Sequence, residues 1–87
     1  MKDPKCASVQ AALGKRGYVP IQVQDRPNMW YANVGDNVVS WIDQDGNALC
    51  LHVRRRSEQA DPQSDYFPGS FAGSIRQAME WATEVSR

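Results

Sequence analysis

The chain has 87 residues, of which 41% are hydrophobic and 23% are charged, and its ten basic and ten acidic residues cancel. This length supports one hydrophobic core, so we expect a single domain over residues 1–87. The zero net charge removes the overall positive field that is typical of nucleic-acid-binding proteins. No apolar run is long enough to span a bilayer, and the first ten residues lack the apolar region of a secretory signal. We therefore expect a cytoplasmic protein.

The cysteine content argues against a disulfide framework, because the chain has only Cys6 and Cys50. We expect both thiols to be reduced, with a single bridge between them as the alternative. The sequence lacks Cys-x-x-Cys and His-x-His spacings, so we predict neither a metal site nor a cofactor.

The first predicted element is a helix over residues 4–16. Asp3 is suited to the N-cap and Pro4 to the first helical position. A narrow apolar face recurs at helical spacing through Cys6, Val9 and Leu13. We expect this face to pack on a sheet.

Four strand-like segments follow, over residues 18–24, 29–34, 38–43 and 48–54. Pro20 cannot donate to a strand ladder, which makes the first segment an edge strand. The turn Asp45-Gly46 strongly favours a hairpin between the last two strands. In the last strand, alternation directs Leu49, Leu51 and Val53 to the core and Cys50, His52 and Arg54 to the other side.

The last predicted element is a helix that begins near Ser70 or near Ser74. Ser74 and Gln77 fit a capping box, and an apolar stripe runs from Phe71 to Val85. Together the elements predict an α+β fold. We expect a three- to four-stranded antiparallel sheet with an N-terminal and a C-terminal helix packed on one of its faces.

Two groups of side chains have the residue types of a reactive or metal-binding site. The segment 43–47 contains Asp43, Asp45 and Gly46, but its spacing does not match a calcium-binding loop and is typical of a hairpin turn. Cys50 and His52 share one side of a regular strand, yet residues two apart on a strand stand about 7 Å from each other. This distance is long for a proton transfer between thiol and imidazole. We therefore predict that the chain is not an enzyme.

The strongest candidate for a functional segment lies between the last strand and the last helix. Three consecutive arginines, Arg54 to Arg56, are followed by the acids Glu58, Asp61 and Asp65 and then by Tyr66. A connection this long is unusual in a small domain and indicates a functional surface or a tether. The arginines favour a contact to phosphate or to an acidic protein surface, with internal pairing to the following acids as the alternative.

This segment resembles small uncharacterised proteins of phages and mobile elements, including segments associated with polyvalent phage proteins. The resemblance covers about a third of the chain. It is carried by one set of residues: Arg54, Arg55, Arg56, Asp61, Asp65, Tyr66, Phe67, Gly69, Ser70 and Phe71. Compact proteins of such elements include anti-CRISPR proteins and other inhibitors of host defence, so the resemblance implies a similar role. It brings no catalytic residues.

The sequence thus leads to two hypotheses. The first is a non-enzymatic interaction protein that acts in the host cytoplasm and inhibits a host defence complex, with a CRISPR effector subunit as a candidate partner. The expected contact residues are Arg54, Arg55, Arg56, Asp61, Asp65 and Tyr66. The second is a small nucleic-acid-binding module that uses the arginines and an exposed aromatic residue of the sheet. Neither hypothesis involves a membrane, and the chain is expected to be a monomer or a homodimer.

Overall fold

The computed structural model describes residues 3–57 and 69–83, which form an α+β fold with a five-stranded antiparallel sheet. The strands lie side by side in chain order. The elements are α1 (Cys6–Lys15), β1 (Ile21–Val23), β2 (Arg26–Val34), β3 (Asn37–Gln44), β4 (Asn47–Arg55), β5 (Ser70–Phe71) and α2 (Ile75–Thr83). The α+β class and the two terminal helices are confirmed. The sheet has one strand more than the largest number predicted.

The two helices cover one face of the sheet, which we call the helix face. Alternate strand residues point to this face and join the helices in one core. Trp41, Leu13 and Val39 are the largest side chains that are fully buried there. The opposite side of the sheet, which we call the distal face, carries the remaining strand residues.

The start of α1 differs from the prediction, because the residues before it pair with β4 instead of entering the helix. Lys5 forms an antiparallel bridge with Asn47, and the Ala48 amide donates to the Pro4 carbonyl over 2.7 Å. The helix therefore begins at Cys6, with Lys5 as an N-cap residue that makes no side-chain capping bond. Asp3 is not the N-cap.

The start of α2 settles the choice between the two predicted positions. The Gln77 amide donates to Ser74 Oγ over 3.1 Å, and the Gly73 amide donates to Gln77 Oε1 over 2.7 Å. Ser74 thus caps the helix, which confirms the second of the two predicted starts. Ser70 and Phe71 form β5 instead, so the apolar stripe of α2 does not include Phe71.

A bulge in β4 changes the predicted facing of its side chains. Ser40 pairs with His52, whereas Ile42 pairs with Leu49, so the register shifts by one residue around Cys50. Cys50 has a φ of +54°, which fits this irregularity. Leu51 and Val53 lie in the core as predicted. Leu49 does not, because beyond the bulge it pairs with Ile42 on the distal face.

The outer edge of β4 is covered by two short segments with the bulge between them. Near the hairpin it is paired by Pro4 and Lys5. Near its end it is paired by β5, and the Ala72 amide continues this pairing by donating to the Leu51 carbonyl over 2.7 Å. The residues that follow the long connection are therefore part of the sheet.

Candidate interaction surface

The three predicted arginines lie at the end of β4, but they do not form one patch. Arg54 pairs with Val38 on the distal face and is half-buried. Arg55 pairs with Asn37 and is exposed on the alternate side. Arg56 lies in the following turn, where its amide donates to the Asp36 carbonyl over 2.7 Å. The alternation of side chains along the strand thus separates the guanidinium groups of arginines that are adjacent in the sequence.

The remaining predicted contact residues cannot be placed on this surface. Asp61, Asp65 and Tyr66 lie outside the described residues, as does Glu58. The described part of the predicted site is therefore its basic half.

The sheet brings together five side chains that the sequence does not mark as a group. Ile21 pairs with Tyr31, Tyr31 with Ser40, Ser40 with His52, and His52 with Phe71. Directly paired residues of antiparallel strands point to the same face. These five side chains therefore form a continuous line across all five strands of the distal face, which we call the transverse row. Its members are Ile21, Tyr31, Ser40, His52 and Phe71.

The transverse row is most accessible at its two ends. Ile21 is 39% exposed and Phe71 is 59% exposed, whereas His52 is only 2% exposed. Tyr31 and Ser40 have intermediate exposure. With Val19, which immediately precedes Pro20 and β1, these two ends are the exposed large hydrophobic residues of the described chain. The ends of the row can therefore contact a partner directly.

Phe71 is held in place by packing and by backbone pairing. Its ring centroid lies 5.1 Å from that of His52, with the two planes tilted by 55°. Tilted contacts of this kind are favourable between aromatic rings. The buried imidazole thus supports one side of the Phe71 ring while the other parts of that side chain remain accessible.

Gly69 allows β5 to approach β4 closely. Its φ is +92°, and a Cβ atom there would lie 2.7 Å from Arg54 Cβ and 2.8 Å from His52 Nε2, besides clashing with the Val53 carbonyl oxygen. Only glycine fits both this backbone conformation and this contact. Gly69 thus packs most closely against β4.

A second line of apolar side chains lies beside the transverse row. Met29 pairs with Ile42, and Ile42 with Leu49, and all three are half-buried on the distal face. The Arg26 guanidinium approaches this line, with Nη1 3.9 Å from Met29 Sδ. The distal face thus combines apolar lines with basic groups at its margin.

The two cysteines occupy different environments, and both are free. Cys6 is buried, and this burial together with the charge of Asp43 raises the pKa of its thiol. Cys50 is exposed, whereas His52 is buried on the distal face. The bulge at Cys50 also removes the regular strand geometry on which the prediction of a shared side for Cys50 and His52 rested.

Residues 3–57 and 69–83 contain no group of three or more His, Cys, Asp and Glu side chains placed to hold a metal ion. The Asp43 carboxylate instead accepts a hydrogen bond from the Gly46 amide in the hairpin turn, over 3.0 Å. Neither helix of the described chain has the length and apolarity needed to cross a bilayer.

Comparisons with protein families, with curated proteins and with solved structures gave no match to this chain.

Proposed function

We propose that the chain is a non-enzymatic interaction protein that binds another protein through the distal face and the arginine end of β4. The observation that supports this most directly is the exposure of Ile21 and Phe71 at the two ends of one row. Apolar side chains that stay exposed on a face of a sheet can anchor an interface. Among the described residues the helix face offers no equivalent, because its large side chains lie in the core or pack against it.

The arginines add orientation and specificity to this contact. Arg55 and Arg56 are exposed, and Arg54 lies on the same face as the transverse row. Charged groups at the rim of an interface accelerate and orient the encounter, while aromatic residues at its centre contribute much of the affinity. Asp61, Asp65 and Tyr66 complete the contact set that we propose from the sequence.

The resemblance to phage and mobile-element proteins supplies the proposed partner class. In this proposal the chain acts in the host cytoplasm and inhibits a host defence complex by occupying its surface, with a CRISPR effector subunit as the first candidate. The test is binding of the purified chain to purified effector complexes of its host. We expect binding that is lost when Arg54, Arg55 and Arg56 are all changed to Glu. Unchanged binding of this variant would contradict the role of the arginines.

The alternative function is binding of single-stranded nucleic acid. One observation favours it, since the exposed Phe71 ring and Arg54 lie on the same face, and bases stack on aromatic rings. A mobility-shift titration at several salt concentrations distinguishes the two functions. Nucleic-acid binding requires an affinity that falls steeply with added salt. The absence of binding at low salt would eliminate this alternative.

A further inference from the structure

We infer that the chain forms a symmetric dimer in which β1 of one copy pairs antiparallel with β1 of a second copy. This inference is independent of the proposed function, because it concerns contacts between copies of the chain. β1 is an outer strand of the sheet, with β2 on one side and no described strand on the other. The outer edge of β4 is covered by segments of the same chain, whereas no described segment covers this edge. The open edge of a sheet presents amide and carbonyl groups that can pair with a further strand.

The two helices leave β1 open on both faces of the sheet. Ile21, which points to the distal face, is 39% exposed. Gln22 pairs with Trp30, so it points to the helix face, and it is exposed as well. The helices pack mainly against β3 and β4. A second strand can therefore approach β1 without displacing a described element.

The order of apolar residues along this edge reads the same in both directions. Val19, Ile21 and Val23 are spaced two apart, so in an extended strand they share one face. When two such strands pair antiparallel with Ile21 opposite Ile21, each Val19 lies opposite Val23 of the second copy. Directly opposite apolar side chains stabilise a strand pair. Val19 is 70% exposed in the single chain, and this pairing gives it an apolar neighbour.

The charge distribution also fits a second copy. Residues 17–24 contain no charged side chain. Charges on an edge strand commonly prevent pairing between copies, and β1 lacks this protection. Because the net charge of the whole chain is zero, two copies do not repel each other at long range. An uncharged apolar edge is matched by another uncharged apolar edge, and a second copy supplies one.

The length of the edge limits the strength of the dimer. β1 has three residues, and Pro20 just before it has no amide hydrogen to donate. Such a pairing buries less than the roughly 800 Å² per partner of a standard interface. We therefore expect a weak dimer that is populated at concentrations of about 100 μM and above.

The dimer has a defined arrangement of faces. Paired residues of antiparallel strands point to the same face, so the two five-stranded sheets continue into each other with both distal faces on one side. The two transverse rows then meet end to end at Ile21.

Sedimentation equilibrium of the full chain at about 10 μM to 1 mM tests the association. The average mass should rise from that of one chain toward that of two. Ile21→Lys places like charges opposite each other and should raise the dissociation constant at least about tenfold. Ala11→Lys adds the same charge at an exposed position of α1 and should dimerise as the wild type does. Unfolding transitions at low concentration check that both variants fold.

A cysteine cross-link tests the register. Opposite Cα atoms of an antiparallel pair lie about 4.5–5.5 Å apart, which suits a disulfide. Ile21→Cys in a Cys50→Ser background should therefore give a covalent dimer with oxidised glutathione. The exposed Cys50 is replaced to prevent its own cross-linking, whereas Cys6 is buried. The control Ala11→Cys in the same background should remain mostly monomeric over the same time.

Several results would overturn the inference. It is wrong if the wild type sediments as a monomer up to about 1 mM, or if Ile21→Lys dimerises as tightly as Ala11→Lys. It is also wrong if the two cysteine variants cross-link at equal rates. If the wild type is monomeric and Ile21→Lys loses binding to the host complex, the edge binds a different chain and the choice of a second copy fails. The proposed function is tested separately by the triple arginine variant.

Discussion

The helix face and the distal face are formed by alternate residues of the same strands, but only the helix face is covered by α1 and α2. Trp41 on the helix face is 1% exposed, whereas Ile21 and Phe71 on the distal face are 39% and 59% exposed. Burial of apolar area on the helix face stabilises the fold. Apolar side chains that stay accessible contribute much less to folding and remain available for binding. The helix face therefore contributes most to stability, and the distal face is the one that we propose for recognition.

The largest effect is expected from a cavity on the helix face. Leu13 is fully buried between α1 and the sheet. Leu13→Ala should lower the free energy of unfolding by about 2–5 kcal/mol, because it removes apolar contacts and leaves a cavity. Urea denaturation measures this loss. Ser8→Ala, at an exposed position of the same helix, is the control and should stay within about 0.5 kcal/mol of the wild type. Equal effects of the two changes would contradict the assignment of the core.

The next largest effect is expected where the distal face depends on β5. Gly69→Ala should lower the free energy of unfolding by about 1–3 kcal/mol. The new methyl group is strained at a positive φ, and it would collide with atoms of β4. Release of β5 would be seen as faster hydrogen exchange of the Ala72 amide, which donates to the Leu51 carbonyl. Gly73→Ala is the matched control, since its Cβ would have only Gln77 Oε1 nearby, at 3.5 Å. If Ala72 exchange is the same in both variants, Gly69 does not hold β5 in place.

A smaller loss of stability is expected from the exposed end of the transverse row. Ile21→Ser should lower the free energy of unfolding by less than about 1 kcal/mol, because the side chain is already 39% exposed on an edge strand. Val39→Ser, at a fully buried position of the helix face, should cost several times more. Thermal unfolding of the two variants compares the faces directly. If Ile21→Ser strongly lowers the free energy of unfolding, the distal face stabilises the fold and the contrast between the two faces is wrong.

Ionisation of the Cys6 thiol should not change the free energy of unfolding at neutral pH, but it should lower this free energy in alkali. Burial and Asp43 raise its pKa above the ordinary value of 9.0. Near and above pH 9 the unfolded chain releases this proton more readily than the folded chain, so stability should fall as the pH rises toward the folded-state pKa. Well below pH 9 both states keep the proton, and this contribution does not change. Denaturation curves at pH 7 and pH 10 should show a smaller difference for Cys6→Ala than for the wild type. An unchanged difference would exclude this thiol as the cause.

The predicted helices and hairpin could be read from local patterns. The spacing of Cys6, Val9 and Leu13 gave the buried face of α1, and all three are in the core. The sequence Asp45-Gly46 forms the predicted tight turn, with φ values of +54° and +85°. These features depend on residues within a few positions of one another.

The errors arose where distant segments compete for the same backbone groups. Pro4 and Lys5 were expected in the helix but pair with β4, and Ser70 and Phe71 leave the helical stripe to form β5. Both segments cover the outer edge of β4, whose unpaired amide and carbonyl groups would otherwise be exposed. No local pattern reports this requirement.

The candidate site was predicted in part. The sequence drew attention to the arginines of residues 54–56, which lie at the end of β4. It gave no sign of the transverse row, because its five members come from five strands and only the register aligns them. The bulge at Cys50 adds to the difficulty, since a one-residue shift exchanges the two faces of a strand. His52 was noted in the sequence for its spacing from Cys50 and not as a member of a row.

By itself the sequence determined the α+β class, the two helices, the three long strands and the basic end of β4, because periodicity, turn residues and charge act locally. The tertiary structure alone decided the fifth strand, the bulge and the alignment of Ile21, Tyr31, Ser40, His52 and Phe71. The physical reason is that strand pairing joins residues far apart in the chain, and its register is set by packing and backbone hydrogen bonds across the whole sheet.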